Sequence, residues 1–294
     1  MPDQLIRCLT EDGSFRAIAT DTTGLIEELR QRHGTDPTAT VALGRLATGT
    51  ALLGALLKGD QRLALMVEGN GPLQRLHAET DASGNVRASL RVPTCNLPPE
   101  GMKFPVAAAI GKAGFLHVIK DLGLKEPYQS MVQLQTSEIA EDLAYYLTSS
   151  EQIPSAVALG VLLNTDGSVL AAGGFLVQAM PDCAEDLLAT LEDRLHELPP
   201  VSNLLAEGAT PPDLVRQVFG DWPFNIRQTN EIRFQCGCNL RQIATVLRSL
   251  PEEERVALAA HKEPTVINCE YCRQEYTLQP HDLAILDMTT DKKS

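Results

Sequence analysis

Four cysteines near the C-terminus are spaced so that they can meet. Cys236 and Cys238 flank Gly237 and, thirty residues later, Cys269 and Cys272 flank Glu270-Tyr271. Thiolates are soft ligands, and two short pairs drawn from separate parts of a chain supply the four sulfurs of a tetrahedral zinc site with no open position. Such a closed shell is structural rather than catalytic. The two-residue spacer of the second pair is usual in zinc knuckles, whereas the C-x-C spacing of the first is less common and makes the pattern more specific. Cysteines two apart can also be joined as a disulfide in a small, strained ring. Strain raises the reduction potential, so the bond forms under an oxidant and is undone by cellular thiols. Two chemical states are therefore open to these residues, and so is the plainer role of a zinc ribbon that staples a small domain.

The other chemistry-bearing residues form no constellation. Cys8, Cys95 and Cys183 stand alone and read as ordinary buried or half-buried thiols. The six histidines, at 33, 77, 117, 196, 261 and 281, are scattered singly; His261 and His281 lie near the cysteines, but four thiolates already close the shell. Gly69-Asn70-Gly71 leads into a strand pattern rather than a helix N-terminus, and Gly111-Lys112-Ala113 lacks both the first glycine and the hydroxyl of a P-loop. No nucleophile motif or H-E-x-x-H is present, so no enzyme is expected. No secretory signal opens the chain at Met1-Pro2-Asp3-Gln4, which argues against a secreted disulfide framework.

The chain has 294 residues, 44% of them hydrophobic, and a formal charge of -13 from 38 acidic and 25 basic side chains. That field repels phosphate backbones, so nucleic acid is not an expected partner. From Ile232 to Ser294, eight Lys/Arg face nine Asp/Glu, and four thiolates would make this region more negative still. Val41 to Leu57 is apolar but interrupted by Arg45, Thr48 and Thr50 and too short to span a membrane, so it reads as a buried core helix opened by Asp36-Pro37. Gly44, Gly49 and Gly54 within it suggest close packing against a sheet.

The elements that must position the cysteines fall into three regions. Residues 1–180 read as an α+β domain. Phe15 to Asp21 forms a strand; Leu63, Leu65 and Val67 alternate with Ala64, Met66 and Glu68; and Leu73 to Thr80 with Val86 to Val92 completes an antiparallel meander. Ser137 to Leu147 reads as a helix, and Val157 to Leu163 with Ser168 to Val177 as a hairpin. Residues 181–231 read as a helical linker. A capping-box-like start at Asp182 and Glu185 precedes an amphipathic helix carrying Leu187, Leu188, Leu191, Leu195 and Leu198, stopped by Pro199-Pro200. A second helix runs from Thr210-Pro211-Pro212-Asp213 to Gly220. Such a pair either packs as ordinary core or presents an apolar face that can be covered and released. Residues 232–294 hold the cysteines, a helix through Leu240 to Leu250, a capping box at Ser249-Leu250-Pro251-Glu252, and short strands at Thr265 to Asn268 and Glu275 to Leu278.

Taken together, these motifs resemble the redox-regulated heat-shock chaperones of the thirty-three-kilodalton class, and the likeness covers essentially the whole chain. It rests on the C-x-C pair after an Arg-Phe strand start, the later C-x-x-C, the acidic amphipathic linker and the preceding α+β domain. Lys58 to Leu63 leading to Glu68-Gly69-Asn70-Gly71-Pro72-Leu73, Phe219 to Trp222 and Phe234 to Cys238 add to it. The resemblance implies a cytoplasmic, ATP-independent holdase for unfolding client proteins. It would be inactive while reduced, with one zinc per chain on Cys236, Cys238, Cys269 and Cys272, and active as a homodimer after oxidation to Cys236–Cys238 and Cys269–Cys272. Closure of the shortest loops favours the same pairing. Physical chemistry is consistent with the rest: a structural zinc contributes roughly 10–16 kcal/mol to such a module, whereas a core of this size rarely supplies more than about 5 kcal/mol. Zinc also keeps the sulfurs as the thiolates that peroxide attacks, and Arg233, Arg241 and Arg273 are near enough in sequence to offset some of their charge. Loss of the metal would unfold the module and free the face of Leu187, Leu191, Leu195 and Leu198.

Overall fold

The apolar segment after Asp36 is buried on nearly every side, and two sheets are arranged around it. The computed structural model describes residues 2–99, 101, 103–181, 183–260 and 263–279. In chain order the elements are β1 (Gln4–Thr10), β2 (Phe15–Asp21), α1 (Thr23–His33), α2 (Pro37–Gly54), β3 (Arg62–Gly69), β4 (Arg75–Asp81), β5 (Asn85–Leu90), α3 (Val106–Ile110), β6 (Gly114–Asp121), β7 (Tyr128–Gln133), α4 (Ala140–Ser149), β8 (Ser155–Leu163) and β9 (Val169–Ala179). They continue as α5 (Glu185–Glu197), α6 (Val201–Ala206), α7 (Pro211–Phe219), β10 (Phe224–Glu231), β11 (Arg233–Phe234), α8 (Leu240–Arg248), α9 (Glu252–Ala259), β12 (Thr265–Asn268) and β13 (Glu275–Leu278). The architecture is α+β, as the sequence patterns indicate. The chain divides into two units, Met1–Gln235 and Cys236–Ser294.

In the larger unit a five-stranded sheet runs β10-β1-β2-β9-β8 and a six-stranded sheet runs β11-β5-β4-β3-β6-β7. The expected meander is β3-β4-β5, antiparallel throughout, with Leu63, Leu65 and Val67 facing the core. Helix α2 lies between the sheets with only Pro37 and Arg45 outside the buried class, because a helix apolar all round is stable only where both faces are covered. Asp36 caps it by accepting from the Ala39 N–H at 2.8 Å, and the same carboxylate accepts from the Cys95 and Asn96 amides. Its buried hydroxyls are all satisfied: Thr50 donates to the Leu46 carbonyl at 2.7 Å, and Thr48 meets Thr22 at 2.8 Å. Arg45 pairs with Glu138 at 2.5 Å. A Cβ on Gly49 would stand 2.5 Å from Leu143 Cδ1, which is the close packing its glycines suggest.

The five-stranded sheet is covered on both faces, so its apolar residues fall into two clusters. One surrounds α2; the other, with Ile6, Cys8, Phe15, Ala17, Phe175 and Val177 on the sheet, lies under α5, α6 and α7. Two-sided burial explains why β1 escaped the period-two reading: Leu5 belongs to one cluster and Ile6 and Cys8 to the other. Helix α1 lacks a local signal because its cap comes from a distant residue. Thr22 supplies no side-chain bond, whereas Asp3 accepts from the Gly24 and Leu25 N–H groups at 2.9 and 2.6 Å. Burial pushes the Asp3 carboxyl up to about 6 even so.

Several boundaries differ from the sequence reading. Helix α4 starts at Ala140 rather than Ser137, since Ser137 and Ile139 both have positive φ. Pro199-Pro200 stops α5 but also opens α6, with Pro200 as its N-cap. The Ser249 capping box does not form: Pro251 takes the N-cap position of α9, and the Ser249 hydroxyl turns back to the Val246 carbonyl at the end of α8. The box proposed at Asp182 falls on a residue outside those described; Glu185 is the first residue of α5, whose N-cap Ala184 has no side-chain bond. At Thr210, by contrast, the capping box with Asp213 is present.

Helix α6 packs directly on β8 and β9 because Gly160 has no side chain; a Cβ there would stand 2.8 Å from the Ser202 backbone nitrogen and from its Cβ. Gly160→Ala must therefore lift α6 from the sheet. A loss of about 1–3 kcal/mol is expected, read as a lower melting temperature of the larger unit.

Candidate metal centre

Each thiol pair is held by its own local structure, and all four cysteines belong to the smaller unit. Cys236 and Cys238 lie in the segment just before α8, whose start is fixed by Asn239 accepting from the Gln242 N–H at 3.0 Å. Cys269 and Cys272 occupy the loop of the antiparallel β12–β13 hairpin, which pairs Thr265 with Leu278 through Asn268 with Glu275. The Cys269 N–H donates to the Gln274 carbonyl at 2.9 Å and the Arg273 N–H to the Cys269 carbonyl at 3.0 Å, with Arg273 at φ 61°. This turn aims both sulfurs of the pair to one side.

The four sulfurs lie within 4.8 Å of one another. The short contacts run between the pairs, Cys236 to Cys269 at 3.7 Å and Cys238 to Cys272 at 3.2 Å, and none of the four is in a disulfide. Sulfurs about 2.3 Å from a tetrahedral zinc are about 3.8 Å apart, so the spacing suits such an ion and is well beyond the roughly 2.05 Å of a disulfide. The donor set contains sulfur only, which suits a soft or borderline cation such as zinc and not calcium or magnesium.

The electrostatics of the site also call for a cation. Burial pushes the Cys236 thiol up, and burial together with the hydrogen bond to Cys238 pushes Cys272 up to about 12. Burial would raise Cys238 too, but hydrogen bonds from the Tyr276 hydroxyl, at 3.2 Å, and from Cys272 outweigh it and bring this thiol down to about 7. One thiolate is thus favoured while Cys236 and Cys272 hold their protons more tightly, because burial and adjacent negative charge both oppose further ionisation. Full ionisation needs a positive charge among the sulfurs. The sequence reading missed Tyr276; its signal is the alternation of β13, where Tyr276 is half-buried between exposed Glu275 and Thr277.

Very little else holds this unit together. Among its described residues only Leu278 is a buried hydrophobic side chain, whereas Leu240, Val246, Val256 and Val266 are more than half exposed. Of the three arginines near the cysteines in sequence, Arg233 belongs to the larger unit, where its Nε donates to the Asn85 side chain at 2.9 Å; Arg241 is in the first turn of α8 and Arg273 in the hairpin turn. His261 and His281 lie outside the described residues.

The remaining expected positions lie in the larger unit. Leu191 is buried, Leu187, Leu195 and Leu198 are half-buried, and all four pack on the outer cluster of the five-stranded sheet. Cys8 and Cys95 are buried and Cys183 is half-buried; burial pushes the Cys8 thiol up to about 11. Among the described residues no helix is long and apolar enough to cross a membrane.

Comparison with known proteins extends the likeness over the full length. The profile of the Hsp33 protein family matches residues 3–279. A 33 kDa chaperonin of Syntrophotalea carbinolica is 54% identical over 286 residues, 97% of this chain and 99% of the relative. One from Geobacter sulfurreducens is 48% identical over 281 residues, covering 96% of this chain and 93% of the relative. Among solved structures, the 33 kDa chaperonin (heat shock protein 33 homolog) of Thermotoga maritima superposes with a TM-score of 0.91 at 35% identity, covering 99% of this chain and 100% of the other.

Proposed function

The chain belongs to the Hsp33 family, a family of chaperones and not of enzymes, and from that premise we propose that it is an oxidation-activated, ATP-independent holdase. The observation that carries the reading is the convergence of four cysteine sulfurs, none in a disulfide, in a unit whose described residues include one buried hydrophobic side chain. The cation is zinc, one per chain, and its ligands are Cys236, Cys238, Cys269 and Cys272. When bound, zinc stabilises all four sulfurs as thiolates and supplies most of the folding energy of the unit.

The protein's own residues do the rest. Tyr276 donates to Cys238 and fixes the orientation of that sulfur. Oxidation joins Cys236 to Cys238 and Cys269 to Cys272; each bond removes two electrons from a thiol pair, and one hydrogen peroxide accepts them and leaves as two waters. The sulfurs are then no longer ligands, and the smaller unit lacks a core that would keep it folded. Cys236 follows β11 by two residues, so its unfolding acts through the chain on β11 and on β10, the edge strand paired with β1. Residues 181–231 are the linker that this loosens. Residues 1–180 are the domain that binds clients and dimerises on oxidation, and the protein works in the cytoplasm without nucleic acid or membrane.

The test is suppression of aggregation of a chemically denatured protein, without nucleotide, by the reduced, zinc-loaded chain and by the peroxide-treated chain, with zinc release followed alongside. Activity is expected only after oxidation; equal activity in both states would reduce the metal to a staple. Peptide mapping of the oxidised chain is expected to find the two near-neighbour disulfides, with Cys8, Cys95 and Cys183 unmodified at mild doses. The short sulfur contacts across the pairs give this test its edge, because oxidation within the folded cluster would instead yield Cys236–Cys269 and Cys238–Cys272.

A further inference from the structure

One face of the six-stranded sheet packs on α2, and the other is only partly buried. On that outer face the strand register sets four residues level with one another: His77 on β4, Met66 on β3, His117 on β6 and Met131 on β7. Directly opposite residues on antiparallel strands carry their Cβ atoms about 4.5–5.5 Å apart. Two of the chain's six methionines therefore stand on either side of one imidazole. The rows beside them are mostly polar, with Glu68, Arg75, Glu79, Gln129 and Gln133.

His117 is the unsatisfied member of the row. Its Nε2 is shielded from water and has no hydrogen-bond partner; a Glu68 carboxylate oxygen lies 3.6 Å away, beyond hydrogen-bonding range. A buried polar atom without a partner calls for one. With the ring proton on Nδ1, Nε2 offers a lone pair, and neither flanking methionine has a proton to give it. All three can instead share a metal ion. Methionine is unbranched and turns about three bonds, so both sulfurs can swing to the ring, and Met131 is 58% exposed. His77 has its Nε2 3.7 Å from a Glu79 oxygen and is left outside the set.

Two thioethers and an imidazole are a soft donor set, which selects copper(I) over zinc, magnesium or calcium. Among the described residues the four cysteines are the only group of three or more Cys, His, Asp or Glu donors drawn together, so the row offers a harder divalent ion nothing comparable. A monovalent ion needs a single countercharge, and Glu68 supplies it beside His117.

We propose that His117 Nε2 and the sulfurs of Met66 and Met131 form a binding site for copper(I). The site belongs to the larger unit, is separate from the four cysteines and does not depend on the holdase reading.

Thiolates would compete for the ion, so the test uses the full-length chain with Cys236, Cys238, Cys269 and Cys272 all replaced by Ser; the larger unit keeps its own two clusters. Copper(I) alone is the probe, kept reduced by ascorbate without air and titrated against a coloured chelator. One ion per chain is expected, and the methyl resonances of Met66 and Met131 should shift while those of the other methionines stay. Met66→Leu and Met131→Leu roughly conserve volume and remove the sulfur; each is expected to weaken binding at least tenfold, as is His117→Ala. Zinc(II) at the same concentration should move neither methyl resonance, and a shift with zinc would overturn the choice of ion. Absence of copper(I) binding, unshifted methyl groups at Met66 and Met131, or unchanged affinity in both leucine variants would overturn the site and leave the row an ordinary apolar patch. Failure of the holdase reading shows separately, in aggregation suppression and zinc release by the unsubstituted chain.

Discussion

Replacing Cys269 by Ser is expected to abolish stoichiometric tight zinc binding and unfold the smaller unit, while residues 1–235 keep their own melting transition. The magnitudes are unequal enough to make the result clear. A structural zinc on four thiolates is worth roughly 10–16 kcal/mol, and the described part of the unit offers Leu278 as its one buried hydrophobic side chain. Helix α8 has no buried residue and is nine residues long, below the roughly 12–15 at which isolated helices become marginal. The β12–β13 hairpin is a single two-stranded sheet, marginal alone in water. Neither element survives without the site that ties them. Metal analysis with amide exchange over residues 236–279 would check this; a variant that kept one tight zinc per chain would overturn the ligand set. Because the cluster around α2 is separate from the one that α5, α6 and α7 pack on, the exchange pattern of the larger unit should change in β10, β11 and the helices of residues 181–231 and not around α2. The variant should also suppress aggregation without any oxidant.

Much of the site was legible because it depends on local spacing. The spacers of one and two residues hold each pair of sulfurs close, and the strands expected on either side of the second pair form with the bounds the sequence indicates, ending at Asn268 and starting again at Glu275. The fold was legible where one face of an element is wet, as in β3, whose Leu63, Leu65 and Val67 alternate with less buried neighbours. It was not legible where burial is two-sided, as in β1, or where a cap comes from far along the chain, as Asp3 does for α1. Tyr276 was invisible for a related reason. Its role depends on the register of β13 against β12, which places its hydroxyl on Cys238, and no short motif encodes that contact.

Leu191→Ala decides what the linker helix does. Helix α5 is attached to the outer cluster mainly by this residue, 5% exposed, while Leu187, Leu188, Leu195 and Leu198 are only half-buried. The other anchor is Arg194, whose guanidinium lies 4.5 Å from the centre of the Trp222 ring and hydrogen-bonds the Phe219 carbonyl; Trp222 in turn stacks on Phe15 at 5.1 Å. Truncating a buried leucine costs roughly 2–5 kcal/mol. For a helix with one buried side chain that is most of its docking energy, so the response should be local opening rather than global unfolding. The main melting transition should move little, since α2 and the cluster around it are untouched. Reduced, zinc-loaded Leu191→Ala should then suppress aggregation in part, because lifting α5 uncovers apolar surface of the outer cluster and of α7, on which it packs. Cys8 supplies an internal reporter: it is 1% exposed in the outer cluster, on a strand that α7 packs on, and should become more reactive toward a maleimide in the variant than in the parent as α5 no longer holds α7 in place. If α5 is ordinary core, the same substitution lowers the main transition, leaves Cys8 protected below it and gains no activity. We expect the first outcome, since α5 is bounded by Pro181 and Pro199-Pro200, carries acids on its exposed side and has a single buried residue, the construction of a layer that can leave while the sheet beneath it stays folded.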